Sequence, residues 1–526
     1  MLRFAAFAYP VERGRSSRLL PMRKALLSVV MSRKRWLAVT AFVAACATVA
    51  LSAVGERGMA YGRNMPLGYA AVQETPARRA SPLVEPLLID LEERTFRFFW
   101  DTANPKNGLV PDRYPTPGFS SIAAVGFGLT SYPIGVERGY VTRKEARKRV
   151  LATLRFLWNA PQGPHQHGMA GYKGFFYHFL DMKTGERYDD SELSTVDTAL
   201  LIAGALFCQS YFDGAHPEEV EIRRLADALY RRVDWHWAQP HAPAINLGWS
   251  PEDGFLEYDW RGYNEAMLVY VLALGSPTFP VGADAWAEWT STYDGSWHTR
   301  FGQEYLGFAP LFGHQYSHVW LDFRNLQDAY MRRRGIDYFE NSRRATYAQR
   351  AYAIANPLQC KDYGATMWGI TASDGPGNFE VEDTFGERVF RAYSARGIGG
   401  VAAHDDCTLA PTAAVASIPF APEIAIPAVL SMYRQFGQYI YGTYGFLDAF
   451  NPTFAFTDVR LDTGRYIPGF GWVAEDYLGI DQGALVAMVE NYRSGLIWSV
   501  MRENRYVRDG LTRAGFSGGW LAASVQ

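Results

Sequence analysis

The chain has 526 residues, 48% hydrophobic and 20% charged, enough apolar material for a large core, which excludes wholesale disorder. Formal charge is −2, but residues 1–55 carry nine Lys/Arg against one acid, Glu12, so the rest holds 43 basic and 53 acidic side chains, a net of −10. An acidic body excludes nucleic-acid binding by phosphate neutralisation, and 15 Trp, 31 Tyr and 32 Phe leave rings to spare for a ligand that favours flat surfaces, such as a sugar.

Ser32-Arg33-Lys34-Arg35 precedes an uncharged, mostly apolar run over 36–54, the pattern of an export signal. Met22 or Met31 is a more natural start than Met1. Cleavage after Gly55 would leave Ala53 and Gly55 where the peptidase reads small residues. The run is also long enough to remain as a membrane anchor, and Val43-Ala44-Ala45-Cys46 has the form of a lipobox. All three readings place the body in the periplasm or outside the cell, with membrane contact only through residues 1–55. Residues 56–82, rich in Gly, Pro, Ala and Arg, read as a linker. No second linker follows, so 83–526 is expected to be one domain, although the length alone suggests about three of ~150 residues.

Helical patterning dominates that domain. Residues 83–100 show apolar side chains at helical spacing. In 142–158, Thr142 and Glu145 form a T-x-x-E capping box ahead of a stripe of Ala146, Val150, Leu151, Leu154, Leu157 and Trp158. Arg143, Lys144, Arg147, Lys148 and Arg155 fall off the stripe as a solvated face. Segments 198–207, 266–274 and 484–489 are apolar all round and predict helices covered on every side, with amphipathic helices such as 142–158, 217–235 and 341–355 outside them. Roughly a dozen helices fit, in an all-α-dominated double ring, an (α/α) toroid, with small β elements in the Gly-, Trp- and Tyr-rich loops; a generic multi-helix domain fits the pattern too.

Several motifs carry nothing. Gly515-Phe516-Ser517-Gly518-Gly519 matches G-x-S-x-G, but no Asp, Glu or His follows Ser517. Gly397-Ile398-Gly399-Gly400 lacks a preceding apolar strand and reads as a loop. His165 and His167 have no third ligand at recognisable spacing. None of the four cysteines forms C-x-x-C. Cys208 lies in an apolar run and reads as a buried thiol; Cys360 and Cys407 could pair in an exported chain.

Three acids stand apart: Asp197, Glu265 and Asp481, each ahead of or at the start of an all-apolar helix. Capping and dipole roles account for each alone: Ser194 with Asp197 as a capping pair, Asp481 as an N-cap, Glu265 against a helix dipole. If the three helices line one barrel, however, their amino ends converge and the carboxylates share an aromatic-rimmed pocket. Glycoside hydrolysis needs that combination, with one acid kept protonated by burial or a neighbouring carboxylate. Glu265, beside Tyr263, is the candidate general acid. Asp481, between Gly479 and Gly483, has less side-chain cover and suits the general base.

At these residues the chain resembles the bacterial glucoamylase-like domain family, which includes the family 144 glycoside hydrolases, endo-β-1,2-glucanases. The segments include Phe98-Phe99-Trp100, Gly108 to Arg113 (GLVPDR), Ser120 to Leu129 (SSIAAVGFGL), Ser194 to Leu200 (STVDTAL), Gly262 to Leu274 (GYNEAMLVYVLAL) and Gln315 to Trp320 (QYSHVW). Trp368-Gly369, Ala410 to Ala413 (APTA), Pro419 to Glu423 (PFAPE), Tyr444 to Asn451 (YGFLDAFN) and Leu478 to Gly483 (LGIDQG) follow. The resemblance implies an (α/α)6 barrel and hydrolysis of a β-1,2-glucan polysaccharide or oligosaccharide, with no metal or organic cofactor. It implies Glu265 as general acid and places Asp112, Arg113, Trp368 and His318 along the sugar cleft; with Glu265 and Asp481 as acid and base, Asp197 is left a substrate-binding or supporting role. The wide spacing of acids on separate helices predicts inversion. Related domains act as transglycosylases, so a transglycosylase, an exo-acting enzyme on the same glucan and a non-catalytic glucan-binding protein stay open beside endo-hydrolysis.

Overall fold

The computed structural model describes residues 84–383, 386–399 and 404–522. The export segment at 1–55 and the linker at 56–82 lie outside the described residues.

The principal helices, in chain order, are α1 (Val84–Thr102), α2 (Ile122–Glu137), α3 (Arg143–Asn159), α4 (Thr195–Tyr211), α5 (Pro217–Arg232), α6 (Met267–Gly275), α7 (Tyr316–Trp320), α8 (Tyr338–Ala355), α9 (Pro411–Val415), α10 (Pro422–Ile440), α11 (Gly479–Arg493) and α12 (Arg505–Arg513). They fall into two kinds. Helices α2, α4, α6, α7, α9 and α11 are buried over all or nearly all of their length. Helices α1, α3, α5, α10 and α12 bury one face and cover the first set. The segments predicted apolar all round belong to α4, α6 and α11. The sequence reading did not single out α2 as a buried helix, nor the two short ones, α7 and α9.

Buried helices touch one another in the order α9, α11, α2, α4, α6, with α7 against α11. The α2–α4 crossing is very close because both helices bring a glycine to it. A methyl group added to Gly204 would sit 2.1 Å from the carbonyl oxygen of Gly126, and one on Gly126 would sit 2.4 Å from that of Leu200. Outside this layer, α3 starts with the expected capping box, Thr142 and Glu145 each bonding the other's backbone N–H. Its basic face is not merely solvated: Arg143, Arg147 and Arg155 pair with Glu219, Glu218 and Glu221 of α5 at 2.9, 2.6 and 2.6 Å.

Short strands stitch together the amino ends of the buried helices. Arg113–Tyr114 pairs antiparallel with Tyr477–Leu478, just before α11. Ser120–Ser121, just before α2, pairs with Phe179–Leu180. Leu193–Ser194, just before α4, is the central strand of a five-stranded antiparallel sheet, with Ser194 opposite Gly248. A lobe formed by 358–383, 386–399, 404–407 and 448–475 has its own small core of Phe390, Phe454 and Trp472, a buried Arg396–Asp406 ion pair at 2.8 Å, and a Cys360–Cys407 disulfide. Cys208 is a buried free thiol, as its apolar surroundings predicted.

Candidate active site

Glu265 sits immediately before α6, its backbone carbonyl accepting from Ser317 Oγ at 2.9 Å. Only 7% of the residue is exposed and Oε2 has no hydrogen-bond partner. Desolvation, with the charge of Asp197 in support, lifts its carboxyl to about 7. A carboxylic acid poised there retains its proton in about half of the molecules at neutral pH, far more than an ordinary glutamate.

Asp481 occupies the first turn of α11 rather than its N-cap, which is Leu478. The expectation that its flanking glycines leave it uncovered is wrong: the residue is 3% exposed. Lacking side chains, the glycines admit neighbours instead. A methyl on Gly483 would meet the Phe127 ring at 2.1 Å, and one on Gly479 would meet Ala124 Cβ at 2.7 Å. Asp481 Oδ1 accepts from the Tyr316 hydroxyl at 3.5 Å. Asp481 also meets the buried carboxyl of Asp448, and desolvation raises both, Asp481 to about 7 and Asp448 well above the usual carboxylate range. The neighbouring Asp448 carboxyl favours the ionised form of Asp481, so the two carboxyls titrate as a pair rather than as independent acids.

A chain of contacts holds Asp448 in place. Its Oδ2 accepts the backbone N–H of Asp374 at 2.7 Å. Asp374 is paired with Arg113 at 2.9 Å, and Arg113 also reaches Asp112 at 3.2 Å and Asp476 at 3.7 Å. One guanidinium thus balances three carboxylates beside the Asp448–Asp481 pair.

On the other flank, Ser194 Oγ caps α4 by accepting the Asp197 N–H at 3.2 Å and donates to Asp197 Oδ2. His178 lies between Glu192 (Nδ1 to Oε1, 2.8 Å) and Asp197 (Nε2 to Oδ2, 3.6 Å). Burial alone would push the imidazole down; Asp197 and Glu192 outweigh it and raise it to about 10, so it is cationic.

The structure therefore gathers Glu265, Asp481, Asp197, Asp112 and Arg113 at the amino ends of α4, α6 and α11. It does not place His318 or Trp368 with them. His318 is 1% exposed, bonded to Ser342 Oγ at 3.0 Å and set among Phe323 and Phe420, whose ring centroids lie 5.0 and 4.9 Å away. Trp368 is 0% exposed, inside a core cluster with Leu409 and Ala413. Both are core residues, because α7 turns its His318 face inward and the Trp368 segment passes beneath α9 rather than over the acids. Sequence reasoning passed over Asp448, Asp374, His178 and Tyr316. Asp448 and Tyr316 lie inside segments quoted above for other reasons; nothing local marks Asp374 or His178. Among the described residues, no group of three or more His, Cys, Asp or Glu side chains is arranged to hold a metal ion.

Comparison with known proteins gives the chain's family. The sequence model of the family described as "Putative glucoamylase" matches residues 257–505, which include Glu265, Asp448 and Asp481. A solved structure from Bacteroides uniformis, described in the same words, is 32% identical, covers 85% of this chain and all of its own, and superposes with a TM-score of 0.71. The endo-beta-1,2-glucanase of Chitinophaga pinensis, solved with sophorotriose and glucose, is 29% identical over 83% of this chain and 99% of its own, with a TM-score of 0.71. A curated relative from Parabacteroides distasonis, an exo beta-1,2-glucooligosaccharide sophorohydrolase acting at the non-reducing end, is 28% identical over 501 residues, 88% of this chain. The chain spans 63% of that relative's length. With the whole of the Bacteroides uniformis structure matched at this identity, the chain belongs to the glucoamylase-like family.

Proposed function

We propose that the chain is a glycoside hydrolase that cleaves β-1,2-glucan from within, on an (α/α)6 barrel whose inner ring is α2, α4, α6, α7, α9 and α11. The observation that carries the reading is a buried Glu265, its carboxyl raised to about 7, together with a buried Asp448–Asp481 carboxyl pair at one end of the buried helices. Glu265 is the general acid: it donates its proton to the glycosidic oxygen as the bond to the anomeric carbon breaks. Water attacks that carbon from the opposite face and passes a proton to Asp481, the general base, which Asp448 keeps ionised by hydrogen bonding. Inversion follows if the acid and base stand about 6.5–9.5 Å apart, with room for water, rather than about 5–5.5 Å. Asp197, Asp112 and Arg113 shape the charge around the substrate.

Incubation with linear β-1,2-glucan and sizing of products over time tests this. A ladder of intermediate lengths supports endo-hydrolysis, and the first product should be the α-anomer by NMR. The exo-acting Parabacteroides distasonis relative favours a second reading, exo-hydrolysis, which would give sophorose alone from the first time point. Longer or cyclic products would mean transfer, and no product would leave a binding protein.

Export is part of the same proposal. The Cys360–Cys407 disulfide supports it, since disulfides persist in oxidising compartments. Fractionation that finds the full-length chain in the cytosol would overturn it.

A further inference from the structure

One peptide group stands between a buried ion pair and the proposed base. The N–H of the Ser373–Asp374 peptide donates to Asp448 Oδ2 at 2.7 Å. The C=O of the same peptide accepts from Arg396 Nη1 at 2.6 Å. Arg396 and Asp406 are both fully buried and meet through two bonds, Nε to Oδ1 and Nη2 to Oδ2, each 2.8 Å. Nη2 also donates to the carbonyls of Arg391 and Ala392 at 2.6 and 3.1 Å. The guanidinium therefore grips the chain on both sides of the short strand pairing that sets Ser373 opposite Ser394. Gly375 makes room for it, since a methyl there would lie 1.9 Å from Nη2. Asp406 is fixed in turn. Its backbone carbonyl accepts from Asn451 Nδ2 at 2.8 Å, and the next residue, Cys407, is tied to Cys360.

We propose that Arg396, held by Asp406, is a positioning residue for the base: through the Ser373–Asp374 peptide it aims and strengthens the N–H that holds Asp448. A peptide is planar, so fixing its oxygen sets the direction of its N–H. A cation on the oxygen also polarises the group and makes the N–H a stronger donor. A buried ion pair is by itself weak evidence of stabilisation, because desolvation offsets the attraction. What marks this one is where its third donor goes, to the peptide that carries Asp448. Arg396 is too buried to touch substrate, yet its charge favours the ionised form of Asp448 and so bears on how the Asp448–Asp481 pair titrates. The other groups facing that pair are Asp374 and Tyr393 of the lobe, Tyr316 of α7, and Asp112 and Arg113 ahead of α2. His404 Nε2 faces Asp406 at 3.5 Å. The proposal rests on the reading of Asp481 as the base acting on β-1,2-glucan, and it names what tunes that base from outside the site.

The test compares kcat–pH profiles on β-1,2-glucan for the wild type, Arg396→Met, Asp406→Asn and a distant control, Arg143→Met, which breaks the pair with Glu219. Losing the cation makes the Asp448–Asp481 pair harder to ionise. Arg396→Met should therefore move the acid limb upward by about one pH unit, about a tenfold loss of kcat at pH 6 that shrinks toward pH 8. Losing the anion leaves the cation unopposed, so Asp406→Asn should move the limb downward by about half a unit. KM should stay within about twofold in both, since neither side chain reaches substrate. Opposite shifts from the two halves of one ion pair are a result that general distortion does not give. Arg143→Met should lower the melting temperature and leave the profile in place. In an Asp448→Ala background, Arg396→Met should add no further shift. Unmoved limbs in an active enzyme, shifts of the same sign in both variants, an equal shift in the control, or full additivity with Asp448→Ala would overturn the role of Arg396 and leave the Asp481 reading intact. Where Arg396→Met does not fold, the sign of the Asp406→Asn shift decides alone. A wild-type protein inert on β-1,2-glucan would overturn both.

Discussion

Asp374 donates its backbone N–H to Oδ2 of Asp448 at 2.7 Å, which fixes one oxygen of that carboxyl and leaves the other for Asp481. Arg113 in turn holds the Asp374 side chain at 2.9 Å. The proposed base is therefore a supported pair rather than a lone aspartate.

The pair makes two substitutions at one position diverge. Asp448→Asn keeps a donor for Asp481, so Asp481 stays ionised and kcat should fall by less than about tenfold. Asp448→Ala removes the donor. Burial then raises Asp481 further, so it ionises only at higher pH, and the acid limb of the kcat profile should move upward. At pH 6 the loss should reach about 10²-fold. Matching profiles for the two variants would show that Asp448 does not govern Asp481.

Glu265→Gln preserves shape and removes the transferable proton. Activity on β-1,2-glucan should drop by about 10²–10⁴-fold, while calorimetry still detects glucan binding. Activity within a few fold of wild type would reduce Glu265 to a helix-end carboxylate. With Asp481 as base and Glu265 as acid, each raised to about 7, the wild-type optimum should be narrow and near neutral.

Stability should fall as pH rises toward the alkaline side. Glu92 is buried against Glu490, Arg493, Arg138 and Tyr140, and desolvation raises it from 4.5 to about 8. A group whose pKa is higher folded than unfolded contributes stability that is complete below the unfolded value and lost as pH passes the folded one. The cationic His178 acts in the same direction up to about 10. Melting temperatures should therefore decline from pH 5 to pH 9, and Glu92→Gln should flatten that slope. An unchanged slope would place the titration elsewhere.

Gly204→Ala should destabilise by about 1–3 kcal/mol or more, because the added methyl meets a backbone oxygen that cannot swing aside. Gly364→Ala, with open space at the same atom, is the control. Denaturant midpoints compare them directly, and equal midpoints would mean that the α2–α4 crossing relaxes freely.

The buried helices were legible because hydrophobicity all round a helix has one physical meaning, cover on every side. The three acids at their amino ends were legible for the same reason, since a carboxylate beside such a run needs an explanation. Helices α7 and α9, with five residues each, are too short for any period to register. Asp374 and His178 gain their importance from strand pairings between distant segments, which spacing along the chain does not encode. His318 and Trp368 failed in the opposite way: a motif match locates a residue in the family's pattern, but not the direction its side chain takes. The glycines around Asp481 misled because a missing side chain reads as openness, whereas in a packed interior a neighbour fills the space.

The backbone-to-backbone crossing of Gly126 and Gly204 has a consequence for how such a protein changes its preferences. Helices that touch through their main chains have no side-chain padding to thin or thicken, so the spacing between α2 and α4 is a fixed gauge. On the proposed function, differences in substrate length fall to segments away from that crossing, such as 114–121 and 179–192. Transplanting those segments between relatives with different product lengths should carry the product length with them.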